Sequence, residues 1–256
     1  MKELYSNIKI LVIGDSCTDV FTYGHVFRLA PEGPAPVFNP INTKSNGGMA
    51  SNVLANVLAI GSYCKLITQN EHIVKTRYVD ERTNSLLLRI DTDDRATRIS
   101  DELLNSIENN TYENTTFDAI VISDYCKGFL TENDIKTISN RNENVFLDTK
   151  KILDDWCVDC DYIKINHIEF EKTKHTIQRL DLYKQLIITH SDKGCEYQGK
   201  MHPVQRVNCK DMSGAGDTFI SGLVTEWVRT KNIHDAINFA QECATKVVQK
   251  LGVCNI

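Results

Sequence analysis

The chain has no excess of positive charge: 29 lysines and arginines stand against 34 aspartates and glutamates, a formal net charge of −5 over 256 residues. Without a basic surplus there is no general pull toward nucleic acid or an anionic membrane, so small molecules are the expected ligands. A long apolar run is also missing. The longest uncharged stretch, between Lys44 and Lys65, is broken by Asn46, Asn52 and Asn56 and suits a buried helix better than a membrane span. No secretory leader is visible, because the short apolar run near the start closes at Asp15 without a small-residue cleavage site. Nine cysteines, an odd number, make no disulfide framework, and the expectation is a reduced, cytoplasmic setting. Repeats and low-complexity linkers are absent too. With 41% hydrophobic and 25% charged residues, the composition is that of a packed globular protein.

What is present is an alternation of strand-like and helix-like segments. Apolar, β-branched runs at Ile8 to Ile13, Phe117 to Ser123, Val145 to Asp148 and Leu186 to Thr189 read as buried strands. Helical patterns cover Gly48 to Ile60, Thr131 to Asn140, Ile168 to Leu180, Asp217 to Arg229 and Ile233 to Leu251. This order predicts an α/β fold, a doubly wound and mostly parallel sheet flanked by helices, with ligands beyond the carboxyl ends of the strands. Two stretches break the rhythm. Residues 23–44 are rich in proline and turn formers, and residues 73–91 alternate polar and apolar side chains, which predicts a small β flap over the site.

The most informative motif runs from Asp211 through Ser213, Gly214, Ala215 and Gly216 to Asp217 and Thr218, directly before a helix. Glycines there turn backbone amides outward at a helix N-terminus, which suits a phosphate or oxyanion. Asp217, in the first turn, is either a general base for an attacking hydroxyl or, with Ser213, a helix cap. Cys157 and Cys160 have the spacing of a dithiol or of half a zinc site, but no second pair completes a tetrad.

That motif, together with Asn46, Gly47, Gly48 and Asn52 ahead of a helix closing at Gly61, resembles the two signatures of the ribokinase-type (PfkB) carbohydrate kinases. The segments Arg28 to Val37 and Ser123 to Gly128 further resemble the heptose-7-phosphate kinase domain of the bifunctional heptose kinase/adenylyltransferase enzymes. The resemblance implies a ribokinase-like fold with a small β lid, ATP and Mg²⁺ as cofactors, and Asp217 as base with Gly214, Ala215 and Gly216 as anion hole. It implies that Asp19, Gly47, Gly48 and Asn52 meet the sugar and that Asp124 and Lys127 border it, Lys127 being otherwise a solvated charge. Asp15 and Asp19 have turn and cap roles as the alternative. Asn166 and Glu169 would organise Mg²⁺ and the nucleotide, with helix capping as the alternative for Glu169, while Lys150, Thr189, Ser191, Asp192 and Gly194 would lie along the nucleotide.

Compared with that family, about one α/β unit is missing after Leu66 and Ile67, as is the last helix. The expectation is therefore one shortened carbohydrate-kinase domain over residues 1–256, with lid segments at about 23–44 and 73–91. The expected reaction is ATP-dependent phosphorylation of the anomeric hydroxyl of D-glycero-D-manno-heptose 7-phosphate for ADP-heptose synthesis, by a homodimer paired through the lid. The alternatives are a kinase for another sugar phosphate or nucleoside, and a non-catalytic binding relic.

Overall fold

Strand β1 (Lys9–Gly14) is buried along all but its first residue, because it runs through the middle of the molecule with apolar side chains on both faces. The structure, a computed structural model, describes residues 2–250, 252, 254 and 256. After Asp15 the chain continues as β2 (Ser16–Leu29) and returns as β3 (Pro36–Met49). Helix α1 (Ala50–Ile60) and β4 (Tyr63–Ile67) follow, then β5 (Val74–Asp80) and β6 (Ser85–Thr92). The short α2 (Asp101–Asn105), β7 (Thr111–Tyr112) and β8 (Thr115–Thr116) lead to β9 (Ala119–Asp124), α3 (Glu132–Arg141) and β10 (Val145–Thr149). The chain then forms β11 (Tyr162–Asn166), α4 (His167–Leu180), β12 (Leu186–Thr189), β13 (Cys195–Tyr197), β14 (Lys200–His202), α5 (Ala215–Thr230) and α6 (Ile233–Val247).

Eight strands form the main sheet in the order β14-β13-β12-β11-β10-β9-β1-β4, parallel except for the β12–β13–β14 meander. Alternation along β1 sorts the two layers. Leu11 and Ile13 pack with Ile135 and Ile138 of α3 and Ile177 of α4, whereas Ile10 and Val12 pack with Val53 and Val57 of α1 and with α5 and α6. This is the doubly wound α/β arrangement that the sequence predicts. No helix among the described residues is long and apolar enough to cross a membrane. Cys157 and Cys160 are buried free thiols, and burial pushes Cys157 up to about 12, away from a reactive thiolate.

The second sheet has the order β3-β2-β5-β6, with a parallel central pair and antiparallel outer pairs. It reaches further than the sequence suggests, because β2 starts one residue after β1. In its ladder Asp19 lies opposite Lys75, which lies opposite Asp91; Phe21 lies opposite Arg77, which lies opposite Arg89. These residues therefore share one face. The chain crosses from β4 to β5 within residues 68–73, with no helix between. Gln69 secures that crossing: its Oε1 accepts from Ser16 N at 3.0 Å and its Nε2 donates to Ser16 O at 2.7 Å.

Candidate active site

The carboxyl ends of β1, β9, β10, β11 and β12 converge on the N-terminus of α5, which is where ligands of such sheets bind. Gly214 caps α5 at φ 79, a backbone conformation that glycine adopts without strain. Two cavities flank this point. One, of about 320 Å³, is lined by Ser213, Gly214 and Asp217 together with Asp19, Lys75 and Arg77 of the small sheet. The other, of about 230 Å³ and largely apolar, is lined by Ala215 and Gly216 together with Thr189, Ser191, Asp192 and Gly194. The turn before α5 is thus a wall common to both. Among the described residues the N–H groups of Gly214, Gly216 and Asp217 have no partner, while Ala215 N donates to Met212 O at 3.2 Å. Of the expected Gly214, Ala215 and Gly216, the Ala215 amide is thus engaged within the turn, and the Asp217 amide is open beside the other two.

Asp217 is 3% exposed, and burial pushes its carboxyl up to about 6. Two donors oppose that shift: Tyr125 Oη donates to Oδ1 at 2.6 Å and Asn52 Nδ2 donates to Oδ2 at 2.9 Å. Asn52 is fully buried, and Asn56 Nδ2 bonds its Oδ1 at 3.1 Å. This differs from the sequence reading, which gave Asn52 to the sugar. On α1 it faces α5, so it serves the carboxylate.

On the first cavity, Asp19 is 5% exposed and ion-paired through Oδ1 with Arg77. Arg89, also on the wall, holds Asp91 through two bonds of 2.7 Å. Lys127 lines the cavity and pairs with Asp94. Lys75 differs from all of these. It is 6% exposed, yet its ammonium has no ion pair among the described residues, only Met49 Sδ at 3.1 Å and the Tyr125 ring at 5.7 Å. The sequence reading missed Lys75, Arg77 and Arg89, whose shared face appears only once β5 and β6 are paired. Three other assignments shift. Gly48 backs onto Asp19 and Cys17, where a Cβ would clash, Gly47 is exposed, and Met49 is the residue of that turn that lines the cavity. Asp124 is 1% exposed and tied to Thr149 Oγ1 at 2.5 Å and Lys151 Nζ at 2.8 Å, so it braces a loop instead of bordering the cavity. Asp15 accepts from the backbone N of Tyr125, Lys127 and Phe129, which anchors the same loop.

Behind the cradle lies a chain of charges, buried at Lys164 and Asp148 and opening toward solvent at Lys150. Lys164, which the sequence reading also missed, donates to Asp148 Oδ2 at 2.8 Å, and a Cβ at Gly216 would lie 2.9 Å from its Nζ. Burial would raise Asp148, but Lys164 and Lys150 reverse this and hold its carboxyl below the usual range. Burial would lower Lys150, but Asp148 and Glu169 reverse that and raise it. Glu169 Oε1 accepts from Lys150 Nζ at 2.7 Å, and Oε2 accepts from Asn166 N at 2.8 Å. Asn166 Oδ1 in turn accepts from Ile168 N and Glu169 N, both at 2.9 Å, which completes a capping box on α4. Each Glu169 oxygen thus already accepts one hydrogen bond, one from Lys150 and one within the cap. Asp148 Oδ1 is buried without a hydrogen bond, but it is a single oxygen, and no three His, Cys, Asp or Glu side chains among the described residues cluster to hold a metal. The residues present make no protein cage for Mg²⁺, and no step below runs through a metal.

The profile of the pfkB family of carbohydrate kinases matches residues 62–256. The chain belongs to that family. Its members are phosphotransferases acting on hydroxyl groups. The bifunctional protein HldE of Vibrio vulnificus is 26% identical over 299 aligned positions, covering 98% of this chain and 62% of its own length. That of Helicobacter pylori is 26% identical over 307 positions, covering 95% of this chain and 63% of its own. This chain therefore spans less than two thirds of those relatives. Among solved structures, the ribokinase of Thermotoga maritima superimposes with a TM-score of 0.73 at 19% identity, covering 96% of this chain and 94% of that one. The Arabidopsis thaliana ribokinase, solved with ribose and ATP, gives 0.67 at 14% identity, with the same coverage. The fold is ribokinase-like.

Proposed function

We propose that this sugar kinase transfers the γ-phosphoryl group of ATP to a hydroxyl of a phosphorylated sugar, with the anomeric hydroxyl of D-glycero-D-manno-heptose 7-phosphate as the acceptor. The observation that carries this reading is the wall shared by the two cavities. A nucleotide base in the apolar cavity and a sugar in the charged one would bring their reacting ends together at Gly214, Gly216 and Asp217. The acceptor oxygen attacks the γ-phosphorus, the bond to the ADP oxygen breaks, and the acceptor proton passes to Asp217. The amides at the cradle and the ammonium of Lys164 offset charge on the transferred group, which is most of what a protein contributes to phosphoryl transfer.

A phosphorylated acceptor is favoured by Lys75. Its ammonium lines the cavity without a direct ion pair among the described residues, and a sugar phosphate bound there would supply one. The heptose is what the resemblance to heptose-7-phosphate kinase domains implies, and the likeness to the HldE proteins supports it. The small sheet acts as the lid, and its face away from the cavity carries Leu88 and Ile90, 52% and 43% exposed, which suits pairing with a second copy of this chain.

The test is an ADP-release assay across heptose 7-phosphates, hexose phosphates, unphosphorylated sugars and nucleosides. The highest kcat/KM is expected for a heptose 7-phosphate. A preference for nucleosides or plain sugars refutes the phosphate reading, and no turnover with any of them leaves a binding relic.

A further inference from the structure

Tyr125 has no role in the reaction as outlined, yet it sits at its centre. Its phenol meets Asp217 Oδ1 at 2.6 Å, on the side of the carboxylate opposite Asn52. The loop that carries it is fastened twice, by Asp15 to the backbone of residues 125, 127 and 129 and by Asp124 to Thr149 and Lys151. Its ring lies near two ammonium groups, 5.7 Å from Lys75 Nζ and 5.5 Å from Lys150 Nζ. A side chain held this firmly by its backbone offers its hydroxyl at one fixed point.

We propose that Tyr125 is a positioning residue for the transfer: its phenol and the Asn52 amide clamp the Asp217 carboxylate between them and hold it, ionised, toward the acceptor hydroxyl. The proposal rests on Asp217 being the general base. Both clamping groups are donors, so they favour the carboxylate over the carboxylic acid. The other titratable groups around Asp217 are Asp148 from β10 and Lys150 just after it, Lys164 from β11, the neutral thiol of Cys17 from β2, and Lys75 from β5. Of these, Asp148 raises the Asp217 carboxyl and Lys164 lowers it. All of them remain when the phenol is removed, so a change on its removal belongs to the hydroxyl. Proton release by the sugar phosphate is likewise common to parent and variant.

The experiment is the pH dependence of kcat/KM for Tyr125→Phe and, as a second ring-free replacement of similar bulk, Tyr125→Met, with melting temperature and ATP binding as checks on folding. The acid limb is expected to move up by about one pH unit, so kcat/KM falls about tenfold below the limb and returns close to the parent value above it. Equal loss at every pH shows that Tyr125 only fills space, and an unmoved profile shows that the phenol does nothing to the base; either overturns the proposal. Failure of the underlying base reading looks different, because Asp217→Asn would then keep its turnover whatever the tyrosine variants do.

Discussion

At Asp217 two demands conflict. A base must be ionised at working pH, whereas burial favours its neutral form; the compromise is a carboxyl pushed up to about 6. Turnover is therefore expected to fall as the pH drops through about 6, measured as kcat/KM. The sign for stability is the reverse. A carboxyl raised in the folded state contributes stability below its unfolded value of about 3.9, and that contribution is lost as the pH rises to the folded value. Asp217→Asn is neutral throughout. Its oxygen can still accept from Asn52 while its amide donates to the Tyr125 oxygen, because a phenol hydroxyl turns to accept as readily as to donate. We expect a folded variant that melts no lower than the parent above pH 6, binds both substrates, and loses turnover by at least about a hundredfold. Lys75 makes a second expectation at this scale. Lys75→Met should raise KM for a sugar phosphate about tenfold or more while leaving KM for an unphosphorylated sugar unchanged, since a charged hydrogen bond contributes about 1.5–3 kcal/mol. Equal KM changes for both substrates would show that Lys75 does not meet the phosphate.

At the scale of the element, the N-terminus of α4 decides between two readings of the Asn166 and Glu169 pair. The structure uses both as a reciprocal cap, with Lys150 held on the outer oxygen. Asn166→Ala is then expected to cost about 0.5–2 kcal/mol in urea unfolding and to leave the Mg²⁺ concentration for half-maximal turnover unchanged. A raised Mg²⁺ requirement without loss of stability would return the pair to the metal. The contrast with α5 is instructive. There the N-cap is a glycine with no side-chain bond, and the Gly216 and Asp217 amides have no partner among the described residues.

At the scale of the molecule, the lid covers one side of the cavity, and its outer face carries the exposed Leu88 and Ile90. Leu88→Glu places a charge on that face, away from Asp19 and Lys75. If two copies pair there, the substitution is expected to halve the mass seen by light scattering at micromolar concentration. A parent that is already monomeric would refute the pairing. Length bears on this scale as well. The alignment to the Vibrio relative runs over 299 positions against 256 residues here, and the β4-to-β5 crossing is one place where the shorter chain closes directly, through Gln69.

The sequence by itself determined the layer order, because buried parallel strands must be apolar on both faces and helices must alternate with them; β1, β9 and β10 are readable for that reason. The glycine turn at Gly214 and the carboxylate of Asp217 in the first turn of α5 are legible too, because that pattern is local. The short α2 and the β7–β8 hairpin were not legible, because a few residues carry no periodicity. Tertiary structure alone decided which side chains share a cavity. Asn52 and Asp217 are 165 positions apart, and nothing local shows that the amide holds the acid instead of a sugar. Lys75 reads as an ordinary polar position in an alternating strand until β5 lies beside β2. Only then does its ammonium line the cavity beside Asp217, with no direct ion pair among the described residues.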